Sequence, residues 1–191
     1  MKMHAGIVLK HYVPQRNMCA LMDSSLGRIT VVLTHDLLSA GSILQYRLVK
    51  KRDWYYADQI ELIHVPLLLA RSEMLFLHYL LEMCYHFVLE GDQAVQVYNV
   101  LLFVCNLEEI SREEKQRILC IFLALLELYP EDDRYAGAQL YALAQLPLEQ
   151  VFKEKVDIKI EKNIAGWLYQ SIREHVGAGQ FKTIHFLDEI R

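Results

Sequence analysis

At Pro66 the hydrophobic period of this chain changes, and no other feature constrains its fold as strongly. Before Pro66 apolar residues come in short runs or alternate at every second position; after it they recur at helical spacing. The runs "HAGIVLKH" and "NMCALMD" are separated by "YVPQR", whose proline cannot donate to a strand ladder. "SSLG" reads as a turn, and "RITVVLT" after it places Ile29, Val31 and Leu33 on one face. "HDLLSAGS" reads as a loop, "ILQYRLV" alternates Leu44, Tyr46 and Leu48, and "WYYADQIELIHV" supplies a fifth strand. Five short strands with turn signals between them predict a small closed or nearly closed β-barrel over residues 1–66.

Residues 67–191 predict an all-α domain, so the fold class is α+β. "SEMLFLHYLLEMCYHFVLEG" has Ser72 as a candidate N-cap and Gly91 just past its end. "QAVQVYNVLLFVCNL" is a second helix. "SREEKQRILCIFLALLELYP" opens with a capping box, Ser111 to Glu114, and Pro130 stops it. "RYAGAQLYALAQLP", "IEKNIAGWLYQSIREHVG" and "TIHFLDEI" complete the helical part. No internal repeat or low-complexity segment interrupts it.

Several classes of function find no support in these residues. There is no phosphate-binding glycine loop, no dinucleotide fingerprint and no nucleophile elbow. Cys19, Cys84, Cys105 and Cys120 stand singly inside apolar patterns, which predicts reduced, buried thiols and no zinc site. The eight histidines are dispersed; His78 and His86 lie two helical turns apart, too far to share a metal unaided. "PEDDR" reads as a solvated acidic loop, and Ser111 as a cap rather than a nucleophile. No enzyme, cofactor or metal is expected. The longest apolar run, Ile118 to Leu126, is about half of what a membrane-spanning helix needs, and the N-terminus carries no signal-peptide pattern. A cytoplasmic protein is expected.

Charge is divided unevenly. The chain carries 20 bases and 24 acids. Residues 1–66 hold eight Lys and Arg against five acids, a local excess of +3, while the remainder carries −7. Much of the basic excess falls in "LVKKRDWYY", where three cations adjoin three aromatics, the composition of a nucleic-acid surface. Alternation places Trp54 and Tyr56 on the core side with Ile60 and Leu62, and Tyr55 outward with Gln59, unless a bulge reverses them. Lys50, Lys51 and Arg52 occupy the turn, and outward Arg28 and Arg47 would join them in one phosphate track.

The order of barrel and helices, with these residues, resembles the RecO family of bacterial DNA-repair and recombination mediators. The stretches that carry the likeness are "GIVLKHY", "CALMDSSLGRITVVL" and "DWYYADQIELIHVPLLLARSEMLFLHYLLEMCYHFVLEGD". The closing "EHVGAGQFKTIHFLDEI" adds His175, Lys182, Thr183, Phe186 and Leu187. The resemblance implies an N-terminal OB-fold that binds single- and double-stranded DNA and anneals complementary strands. It also implies work with RecR, the single-strand binding protein and, indirectly, RecA. The nucleic-acid contacts expected are Lys10, Arg16, Arg28, Arg47, Lys50, Lys51, Arg52 and Tyr55. The chain departs from the family in two places. The loop "THDLLSAGS" has no Lys or Arg where the family's is long and basic, and "QLPLEQVFKEKVDIKIEKN" has no cysteine where many members carry a four-cysteine zinc module. The chain would be a shortened member without that module. The alternative is a protein-interaction adaptor whose barrel keeps the fold but has lost most nucleic-acid affinity.

Overall fold

The computed structural model describes residues 3–12, 17–34 and 38–126, together with 128 and 150. Arg16, His175, Lys182, Thr183, Phe186, Leu187 and the helices expected after Pro130 lie outside the described residues. Two compact units divide the chain, residues 1–109 and 110–191.

Five strands build the first unit: β1 (His4–His11), β2 (Met18–Asp23), β3 (Gly27–Leu33), β4 (Ile43–Lys51) and β5 (Trp54–His64). They close into a barrel in the order β1-β2-β3-β5-β4. All neighbours are antiparallel except β3 and β5, which run parallel from Val31↔Tyr55 to Leu33↔Ala57. This is the α+β architecture the sequence predicts, with an OB-like barrel at its N-terminal end. Its interior is the alternating face read from the sequence: Ile29, Val31 and Leu33 from β3, Leu44 and Tyr46 from β4, with Leu48 partly buried against them. Val8, Cys19, Leu21 and Ala57 complete it. Each buried aliphatic side chain contributes about 1.5–3 kcal/mol.

The alternation fails in β5, and the cause is a bulge. Arg47 pairs with Asp58 and Gln45 with Glu61, so Gln59 and Ile60 together face the single residue Tyr46. Gln59 takes φ 50°, the left-handed conformation a bulge residue can require. Beyond it the side-chain parity is inverted. Ile60 packs on the core, as expected, but so do Ala57 and Tyr55, while Trp54 is 48% exposed. Tyr55 is therefore an inward ring and Trp54 an outward one, the reverse of the simple alternation. The β4–β5 pairing shifts again at Ile63, between Leu44↔Leu62 and Ile43↔His64, and Leu62, expected on the core face, is exposed. A further bulge, at Leu9 in β1, sets Lys10 opposite Ala20, and Lys10 is exposed.

Helices α1 (Leu67–Ser72), α2 (Met74–Phe87) and α3 (Val95–Cys105) follow in the same unit. The strand-to-helix change falls at Pro66, yet the unit runs on to Glu109. Ties across the change explain this: His64 Nε2 lies 3.1 Å from the carbonyl of Cys105, and a carbon of the Leu77 side chain stands only 3.4 Å from where a Cβ on Gly41 would sit. Ser72 does not cap α2. It ends α1, its hydroxyl donates back to Leu68 O at 3.1 Å, and α2 begins after Glu73 without a side-chain cap. Phe76, Tyr79, Leu80 and Met83 of α2 and Val97, Leu101 and Val104 of α3 are buried.

In the second unit the described helix is α4 (Arg112–Leu125). Its capping box is formed on both sides: Glu114 N–H donates to Ser111 Oγ at 3.3 Å, and Ser111 N–H donates to Glu114 Oε2 at 2.7 Å. Ile118, Leu119, Phe122 and Leu123 are buried. All four cysteines are free and buried. Burial pushes the thiols of Cys19 and Cys105 up to about 12, which makes them poor nucleophiles. Among the described residues no helix is long and apolar enough to cross a membrane.

Candidate nucleic-acid interface

The β4–β5 hairpin gathers five of the eight nominated residues: Arg47, Lys50, Lys51, Arg52 and Tyr55. A two-residue turn, Arg52–Asp53, joins the strands, with Lys51 opposite Trp54 and Lys50 opposite Tyr55. Arg52 holds φ 54°, a conformation that favours glycine and costs an L-residue about 1–2 kcal/mol. Lys50, Lys51 and Arg52 are all exposed. The ammonium of Lys50 lies 5.4 Å from the Tyr55 ring centre, and that of Lys51 lies 5.3 Å from the Tyr56 ring centre. Both tyrosine rings are thus engaged by lysines of the facing strand.

Arg47 lies on the same hairpin but is occupied. Its Nε and Nη2 donate to the two carboxylate oxygens of Asp58, a bidentate pair. These hydrogen bonds hold the Asp58 carboxyl below the usual range. The pair is nearly neutral to an approaching phosphate.

Lys10 and Arg28 form a separate group around Tyr85 of α2. The Lys10 ammonium is 4.3 Å and the Arg28 guanidinium carbon 5.4 Å from the Tyr85 ring centre. The Tyr12 hydroxyl donates to that of Tyr85 at 3.3 Å, and burial first of all raises the Tyr12 phenol. His86 meets Tyr85 edge-on at 5.0 Å, and burial lowers its imidazole. Arg28 has a structural task here. Its Nε donates to Val88 O at 2.7 Å, Gly91 N–H donates to Arg28 O at 2.9 Å, and Thr30 N–H donates to Glu90 Oε1 at 3.2 Å. β5 begins to pair with β3 only at Val31, so residues 27–30 would otherwise present an open edge. The segment 88–92 fills it.

The expected continuous track through Arg28 and Arg47 is therefore interrupted, because both arginines have protein partners. Rim geometry favours the hairpin. Following paired residues around the sheet from Lys50 gives Tyr55, Val31, Cys19 and His11, the last residue of β1. The end of β1, the start of β2 and the β4–β5 turn thus share one rim, the side from which OB barrels bind oligonucleotides and oligosaccharides.

Alternation alone hid Trp54 as an exposed ring, since the bulge that exposes it depends on strand pairing. Tyr85 carried no signal either; its spacing on α2 is that of any core aromatic. No protein-family model and no curated protein matches this chain.

Proposed function

We propose that the protein is a non-catalytic DNA-binding mediator of repair and recombination, RecO-like in role, that holds DNA on the rim of its barrel. The observation that carries this reading is the position of Lys50, Lys51 and Arg52, exposed beside three aromatics at the β4–β5 connection of an OB-like barrel. RecR and the single-strand binding protein are the partners proposed, with RecA acting downstream. The test is DNA affinity as a function of salt. Replacing Lys50, Lys51 and Arg52 together with Ala should weaken binding and reduce the salt slope by up to about two for single strands, at about 0.7 per phosphate contact.

The adaptor reading also has an observation behind it. Leu62, Ile63, Leu67, Leu68, Met74 and Leu75 are exposed over one short stretch from the end of β5 into α2. An unchanged affinity and slope in the triple variant would favour the adaptor.

A further inference from the structure

The geometry points to Trp54 as the ring that accepts an unpaired base, which makes the hairpin selective for single-stranded over double-stranded DNA. The inference deepens the DNA-binding reading and rests on it.

Three consecutive aromatics offer themselves, and the structure separates them. Tyr55 packs on the barrel core and has Lys50 over its ring. Tyr56 points outward but has Lys51 over its ring. Trp54 is 48% exposed, and among the described residues neither a cation nor another ring rests on its indole. It is the first residue of β5, directly after the turn and opposite Lys51, so its ring and the cations of the tip reach the same stretch of a bound strand.

Strand selectivity follows from where base faces are available. In a duplex each base face is covered by its neighbours, so an exposed indole gains nothing without unstacking, and only the phosphates can be held. In a single strand a base can turn onto the ring while Lys50, Lys51 and Arg52 hold adjacent phosphates. Arg52 keeps a charge in the turn, two residues before Trp54, at a left-handed position that glycine would fill without strain.

The test measures anisotropy of a labelled fifteen-nucleotide oligo-dT and of a labelled fifteen-base-pair duplex, with the full chain and with Trp54→Ala and Trp54→Phe. The expected result is a loss of about 5- to 100-fold for oligo-dT in Trp54→Ala, within twofold of the parent for the duplex. Trp54→Phe, which keeps a ring, should recover most of the loss. Thermal melts of both variants confirm that the fold is retained. Unchanged oligo-dT affinity in Trp54→Ala, or an equal loss on both DNAs, overturns the inference while leaving DNA binding in place. A parent chain that binds neither DNA overturns the DNA-binding reading, and this inference with it.

Discussion

Tyr46 donates its hydroxyl to Asp23 Oδ2 at 2.6 Å, inside a barrel where both side chains are buried. Asp23 also accepts from Ser25 N–H at 2.8 Å, Ser25 Oγ at 2.9 Å and Leu26 N–H at 2.9 Å, and His4 Nδ1 lies 3.1 Å from Oδ2. One carboxylate thus organises the β2–β3 turn and ties it to β4 and β1. Tyr46→Phe should cost about 1–3 kcal/mol in chemical denaturation, because Asp23 loses a buried donor. Asp23→Ala should cost more, since it leaves the tyrosine hydroxyl and the turn amides without an acceptor.

The same carboxylate makes stability depend on pH. Burial alone would raise its pKa, but the hydrogen bonds from Tyr46, Ser25 and Leu26 prevail and hold it below the ordinary value of 3.8. A carboxyl depressed in the folded state stabilises fully above its unfolded pKa and loses that contribution as pH falls through the folded value. Melting temperature should therefore fall as the protein is acidified below about pH 4. Asp23→Asn should remove that part of the decline, as seen by comparing melts of parent and variant across the acid range.

Inverted parity in β5 yields opposite outcomes for neighbouring rings. Trp54→Ala should change unfolding free energy by no more than about 0.5 kcal/mol, as for other surface sites. Tyr55→Ala should lower it by about 1–3 kcal/mol, because it removes a ring from the edge of the core. Urea unfolding followed by circular dichroism separates the two. A large loss in Trp54→Ala with none in Tyr55→Ala would restore the simple alternation and disprove the bulge.

Gly27 and Gly91 distinguish steric exclusion from backbone preference. Both have positive φ, 70° and 81°. A Cβ on Gly27 would lie 1.5 Å from the carbonyl oxygen of Asp92, whereas one on Gly91 would meet nothing within 4 Å. Gly91→Ala should cost about 1–2 kcal/mol, the price of a left-handed alanine. Gly27→Ala should cost about 2–3 kcal/mol more, since the segment 88–92 must move off β3. Equal losses in thermal or urea unfolding would mean that this segment is not seated on β3.

Arg28 and the hairpin cations should respond differently to the same substitution. Arg28→Ala should lower stability by about 1–2 kcal/mol, through the hydrogen bond to Val88 and the contact with Tyr85, and leave the salt slope of DNA binding unchanged. The hairpin triple variant should do the reverse. Paired stability and salt-titration measurements on the two proteins read both effects.

Features set by short-range chemistry were legible in the sequence. Ile29, Val31 and Leu33 share a face because a strand repeats every second residue, and Ser111 caps α4 because Glu114 stands three residues on. The change at Pro66 and the barrel-then-helix order follow from period alone. Features that depend on distant partners were not legible. Arg28 reads as an outward strand cation until Val88, sixty residues away, is seen to take its Nε. Tyr55 and Trp54 exchange faces because Gln59 is an extra residue against Tyr46 on another strand, and register is a property of two strands rather than one. Residue types and spacing determine which elements form; which side chains remain free for a ligand is decided by what the closed barrel and its helices place against them.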